Sequence, residues 1–228
     1  MKNIFFESQN MSKKNNNKYV IGIDEAGRGP WLGPVVAVAL CFNPNNLPDN
    51  YFLSKIKDSK KINKKNREKI FNELIKLSTL EKPQVFFGLG VVDNFVIDDI
   101  NIKNANKEAM RRALIELLRK IDEQKIDKVL IDGKDNYDFC ELKNKPGYII
   151  GGDGKIIEIG AASIIAKVFR DKIMDTYSYI YPNLGIENHK GYGTKKHSEF
   201  LKTKKDITKI VYFSNKETSE KLMLKIYS

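Results

Sequence analysis

The stretch Tyr19–Leu40, YVIGIDEAGRGPWLGPVVAVAL, decides how this chain is read. It opens on Tyr19, Val20 and Ile21, residue types that suit a pleated, half-buried strand. Asp24 and Glu25 then interrupt the apolar run. Gly27, Arg28, Gly29 and Pro30 force a turn, and a second apolar run, Pro34–Leu40, leaves it. Two adjacent acids at the end of a core strand are costly to desolvate unless something compensates. A divalent cation does so, because hard cations take carboxylate oxygens. The plainer alternative is a solvated strand end with two surface acids. The glycine-arginine-glycine turn that follows favours a functional site.

Working outward, strands are expected at about 20–24 and 35–42, then a loop at 43–50 with two prolines. A helix is expected over Lys64–Leu77, because Ile70, Phe71, Leu74 and Leu77 share one face. Val85–Val92 reads as a strand, Asp93–Ile100 as a short helix, and Ile102–Ile121 as a longer one with Ala105, Ala109, Ala113, Leu117 and Ile121 on one face. Lys128–Asp132 is a buried-type strand ending on an acid before Gly133. Tyr148–Ile150 is a brief apolar run that reaches Asp153 after two glycines. Ile159–Tyr177 reads as a helix, Asn188–Gly193 as a loop, and Thr194 as the N-cap of a last short helix. Alternating strands and helices give an α/β fold. The first two strands have no helix between them, so the sheet is expected to be mixed, with an antiparallel start.

The chain has 228 residues, with 40 Lys plus Arg against 29 Asp plus Glu, a net charge of +11. Such an excess suits a polyanionic partner, although a lysine-rich compositional bias would give it too. From Asn188 to Ser228 there are ten Lys and four acids, so +6 of that charge lies near the C-terminal end, as expected of a segment along a phosphate backbone. Two cysteines, Cys41 and Cys140, make neither a disulfide framework nor a paired-cysteine metal site, which points to a reducing, cytoplasmic setting. No apolar run reaches the roughly 18 residues of a membrane span, and no secretory signal pattern opens the chain. Residues 1–18 read as a disordered lead-in, 19–201 as the folded domain and 202–228 as an extension.

Asp24, Glu25, Asp132 and Asp153 share one placement: each follows a short apolar run and lies near glycine. Carboxylates at neighbouring strand ends converge in space and repel unless cations bind between them. Two cations held so would serve phosphodiester hydrolysis. Taken singly, Asp132 and Asp153 also suit turn or capping roles. His189 and His197 without nearby cysteine are an incomplete zinc set, and read as phosphate contacts or solvated side chains. Lys190, Lys195 and Lys196 read as phosphate contacts, or as solvated lysines.

The segment Gly22–Pro34, GIDEAGRGPWLGP, resembles the first motif of the type 2 ribonucleases H, the ribonuclease HII family. LIDG around Asp132, GGDGKIIEIGAASIIAKVFRD at Gly151–Asp171, YPNLGIENHKGYGTKKH at Tyr181–His197 and DSKK at Asp58–Lys61 are similar to further blocks of that family, in order. The triplet Gly27-Arg28-Gly29 favours type 2 over type 3. Departures are Gly151 where the family carries a basic residue, Trp31 in place of a smaller aliphatic, and a loosely matching C-terminal ITKIVYFSNKE.

The resemblance implies a ribonuclease H-like fold, a mixed central sheet flanked by helices with a small helical C-terminal extension. It implies an endonuclease acting on RNA–DNA hybrids and on single ribonucleotides embedded in duplex DNA, leaving a 3′-hydroxyl and a 5′-phosphate. Asp24, Glu25, Asp132 and Asp153 would be catalytic and would hold Mg²⁺ or Mn²⁺. Gly27, Arg28, Gly29, Lys60, Ser163, Lys167, Lys190 and Tyr192 would bind substrate, with Tyr192 against the sugar at the RNA–DNA junction. A monomer without a membrane partner is expected, and no motif for docking a sliding clamp is visible. Two rivals stand beside this reading: a nuclease of the same fold acting on DNA, which needs no ribose sensor, and a non-catalytic binding module, which has no use for four acids facing phosphate.

Overall fold

A computed structural model describes residues 17–56 and 62–194. The expected disordered lead-in, Lys60 within DSKK, the lysines Lys195 and Lys196, His197 and the C-terminal extension lie outside the described residues. Two strands flank the glycine-rich turn, β1 (Tyr19–Ala26) and β2 (Val35–Phe42). They pair antiparallel with Asp24 opposite Val38, as the short connection requires. A helix not anticipated from the sequence, α1 (Asn50–Ile56), follows; Asp49 starts it by accepting the Phe52 amide at 2.8 Å. Then come α2 (Lys64–Ser78), β3 (Val85–Val92) and α3 (Asn94–Leu118).

The expected break between two helices near residue 101 is real but covers a single residue. Asn101 adopts φ 66° inside α3, and its side chain accepts the amides of Lys103 and Asn104, recapping the second half. The chain continues through β4 (Ile126–Asp132), β5 (Gly147–Ile149), α4 (Ile157–Ile180) and the one-turn helix α5 (Ile186–His189). This last turn occupies part of the segment expected to be loop.

The sheet order is β3-β2-β1-β4-β5. β4 runs parallel to β1, with Ile23 opposite Ile131, and β5 runs parallel to β4. Period-2 alternation divides β1 and β2 between two cores. Ile21, Ile23, Val35, Ala37 and Ala39 face Ala105, Ala109, Ala113 and Leu117 of α3. Val38, Leu40 and Phe42 face Ala161, Ala162 and Ile165 of α4 and Ile70, Phe71 and Leu74 of α2. The structure is therefore a mixed sheet between two helical layers, the architecture expected. Among the described residues, no helix is long and apolar enough to cross a membrane. Cys41 is buried and Cys140 exposed, and both are free thiols.

Candidate active site

Parallel pairing of β1 with β4 brings the ends of both strands to one level, since Ile23 lies opposite Ile131 and the next residues are Asp24 and Asp132. Asp24 is only 5% exposed. Its carboxylate accepts the Glu25 amide at 2.8 Å and bonds the Ser163 hydroxyl of α4. Burial, then the charges of Glu25 and Asp132, push its pKa well above the ordinary carboxylate range. Glu25, one residue on, points to the opposite face of the strand, toward α3, and bonds Asn106 there. Burial raises the Glu25 pKa to about 7; Asp132 and Asp135 add to the rise, while Arg28 and Asn106 oppose it.

Asp132 accepts the Gly152 amide at 2.6 Å, which ties β4 to the turn carrying Asp153. Asp153 is 3% exposed and accepts the Gly154 amide at 3.0 Å. Asp24, Glu25 and Asp132 thus form one repelling set, and Asp153 sits in the turn that contacts it. The all-oxygen donors and their mutual repulsion fit a hard divalent cation, whose charge would offset both. Among the described residues no three such side chains already form a coordination sphere. The alternation of Asp24 and Glu25 about the strand accounts for that, with Glu25 drawn to Asn106 and Arg28.

Arg28 of the glycine-rich turn and a collar of side chains unmarked by any sequence motif, Asn106, Asp135, Tyr137 and Tyr148, surround Glu25. Arg28 stands 4.0 Å from Glu25 and forms a close ion pair with Asp135. Asn106, 1% exposed, also donates to the Tyr137 hydroxyl at 3.5 Å, and its own oxygen has no partner among the described residues. The Tyr148 hydroxyl fixes Tyr137 by donating to its carbonyl at 2.6 Å and accepting its amide at 2.8 Å.

Beside the acids lies a cleft of about 280 Å³, lined by Glu25, Gly27, Arg28, Gly29, Ser163, Lys167 and Tyr192, and also by Arg67 of α2. Of the substrate contacts anticipated among the described residues, the cleft gathers all but Lys190. The Lys190 ammonium is held by Asp175 and the Glu187 carbonyl, and does not line the cleft. Arg67 was not anticipated, since a lone arginine on a polar helix face carries no signal. His189, read as a phosphate contact or solvated, is instead an internal brace. It is 8% exposed, its Nδ1 accepts the Gly191 amide, and Nε2 lies 3.0 Å from the Leu184 carbonyl. A larger hollow of about 610 Å³ lies between α1 and α2 and holds none of the acids.

The glycines of the turn differ in role. Gly27 has φ 106°, and a Cβ there would stand 2.3 Å from the Pro34 carbonyl, so the position admits only glycine. Gly29 is exposed with open space around it, so its backbone is accessible to a ligand. Tyr192 is 44% exposed, its ring 5.5 Å from the Lys167 ammonium.

Residues 21–216 match the family model of ribonuclease HII. The chain is 43% identical to the ribonuclease HII of Caldanaerobacter subterraneus subsp. tengcongensis over 184 residues, covering 81% of this chain and 68% of that one. It is similar in structure to ribonuclease H2 from Pyrococcus horikoshii OT3, with TM-score 0.68 and 28% identity over 92% of this chain and 99% of the other. It shares its fold with Bst-RNase HIII, solved in complex with Mn²⁺, at TM-score 0.66 and 18% identity over 84% of this chain and 63% of the other. The chain therefore belongs to the ribonuclease HII family, endonucleases that cleave the RNA of RNA–DNA hybrids.

Proposed function

We propose that this ribonuclease H also cuts duplex DNA on the 5′ side of a single embedded ribonucleotide, with two divalent cations, Mg²⁺ or Mn²⁺, at its acids. The observation that carries the reading is the juxtaposition of the repelling set Asp24, Glu25 and Asp132 with a cleft that holds Gly27-Arg28-Gly29 and Tyr192. Asp24, Glu25, Asp132 and Asp153 would hold the cations. Bound there, the cations would supply an activated water and stabilise the leaving oxygen. The Mn²⁺ found with Bst-RNase HIII supports the same donor chemistry.

The remaining work falls to the chain's own groups. A lone ribonucleotide differs from its neighbours only by a 2′-hydroxyl, so a hydrogen-bonding group must meet that hydroxyl. The accessible backbone at Gly29 suits that contact. Arg28, 43% exposed at its side chain, is placed to meet a phosphate once it leaves Asp135. The Tyr192 ring offers a flat apolar face to the next sugar, where a deoxyribose is less crowded than a ribose. Lys167, paired with Asp171, stands over that ring with its ammonium 5.5 Å from the ring centre. Ser163 steadies the Asp24 carboxylate from α4.

The test is a gel assay on duplex DNA with one ribonucleotide, run with Mg²⁺, Mn²⁺ or EDTA. A single cut 5′ to the ribonucleotide, abolished by EDTA, is expected. Cleavage of uniform hybrid alone would defeat the proposal.

A further inference from the structure

Arg170 is the largest fully buried side chain of the described fold, and no carboxylate pairs with it in an ion bridge. Its guanidinium instead donates to three backbone carbonyls. Nη2 reaches Leu32 at 2.8 Å, Nε reaches Pro34 at 3.0 Å, and Nη1 reaches Lys190 at 2.9 Å. Leu32 and Pro34 belong to the loop that leaves the Gly27–Gly29 turn. Lys190 belongs to the loop that carries Tyr192. One planar fork on α4 therefore holds both halves of the recognition surface, a task suited to rigid guanidinium donors and not to a flexible ammonium.

The two loops also touch directly. The Gly191 carbonyl accepts the amides of Trp31 and Leu32 at 2.9 and 3.2 Å. Gly193 lies so close to the Trp31 ring that a Cβ there would stand 2.2 Å from it. The stem of Arg170 runs beneath Gly27, whose added Cβ would lie 2.5 Å from Nε. The Tyr192 ring centre is 5.9 Å from the guanidinium carbon. Taking a guanidinium out of water is costly, and these bonds offset the cost only while both loops are in place.

We infer that Arg170 is a positioning residue for substrate discrimination, fixing the distance between the Gly27–Gly29 turn and Tyr192 without touching the reacting atoms. This rests on the reading of that turn and Tyr192 as the ribonucleotide sensor. Nothing in the contacts of Arg170 reaches Asp24, Glu25, Asp132 or Asp153, so its loss should leave hydrolysis of uniform hybrid far less affected than choice of a lone ribonucleotide.

The full chain and its Arg170→Lys variant provide the test, with far-UV circular dichroism as the check on folding. Lysine keeps the charge but loses the fork. Cleavage efficiency on the one-ribonucleotide duplex should fall about tenfold or more relative to that on uniform RNA–DNA hybrid. Trp31 is the only tryptophan in the chain, so its emission reports the loop contact independently of activity. In Arg170→Lys it should shift to the red and become more open to acrylamide quenching.

Equal loss on both substrates, unchanged Trp31 emission, or loss of the helical far-UV signal would each overturn the inference, the last because it would make Arg170 a general core residue. If the wild type itself fails to cut at a lone ribonucleotide, the sensor reading falls instead. The Trp31 emission then still decides whether Arg170 holds the two loops together.

Discussion

Glu158 stands in the first turn of α4, buried at 7% exposure, with its Oε2 lacking any hydrogen-bond partner among the described residues. Burial raises its pKa from 4.5 to about 7, opposed by a bond to its own backbone amide and by the charge of Lys128. Cys41 is the other titratable group that feels its charge. The folded state thus holds a proton that the unfolded chain releases near pH 4.5. Stability from this proton is fully present below that pH and is lost as pH rises through about 7. The shift of roughly 2.5 pKa units corresponds to a ceiling of about 3 kcal/mol, of which about 2–3 kcal/mol is lost between pH 5 and pH 8.5.

Glu158→Gln keeps the shape and removes the titration. Urea denaturation of both proteins at half-unit steps over this range should show the variant gaining on the wild type by that amount, with most of the gain accruing between pH 5 and 7 and a plateau above about 7. A stability difference independent of pH would refute the reasoning, and would mean that Glu158 stays charged or is hydrated.

Tyr192→Ala should lose most cleavage at a single ribonucleotide, while Tyr192→Phe should retain more of it if the ring face carries the contact; steady-state cleavage of the same duplex separates the two. Both ammoniums are paired, Lys190 with Asp175 and Lys167 with Asp171 at 2.7 Å, but of the two only Lys167 lines the cleft. Lys167→Gln should therefore flatten the slope of log affinity against log salt for hybrid by about one unit, and Lys190→Gln by less, as read by fluorescence anisotropy. Gly191 adopts φ 87°, with its missing Cβ 2.2 Å from the Leu32 carbonyl. Gly191→Ala should cost about 2–4 kcal/mol in denaturant unfolding and weaken lone-ribonucleotide cleavage.

The layered fold was legible because the apolar runs of β1 and β2 flank a turn too short for a parallel crossover. The helices α2 and α3 likewise display single apolar faces at helical spacing. The acids were legible because Asp24 and Glu25 break an apolar strand next to a turn of glycines. Their supports were not. Asn106 is one polar residue on an otherwise ordinary amphipathic helix, and Asp135 and Tyr137 lie in a loop without periodicity. Only tertiary packing brings them to Glu25. Arg170 reads in sequence as the charged end of a motif, because its partners are backbone carbonyls, which leave no trace in side-chain chemistry. For Lys190, its charge and its place in the Tyr181–His197 block both point to a phosphate contact, and the pairing with Asp175, fifteen residues earlier, leaves no local signal in the sequence.

The central claim is that the acids brought together at the ends of β1 and β4 perform the cleavage, apart from the groups that grip the substrate. Asp132→Asn tests it most directly, because asparagine preserves the shape and the bond from the Gly152 amide while removing one of the repelling charges. Cleavage of a uniform RNA–DNA hybrid and affinity for that hybrid should be measured on the same preparation with Mg²⁺. The account predicts that cleavage is abolished while affinity is unchanged or slightly higher. Cleavage at the wild-type rate would contradict it.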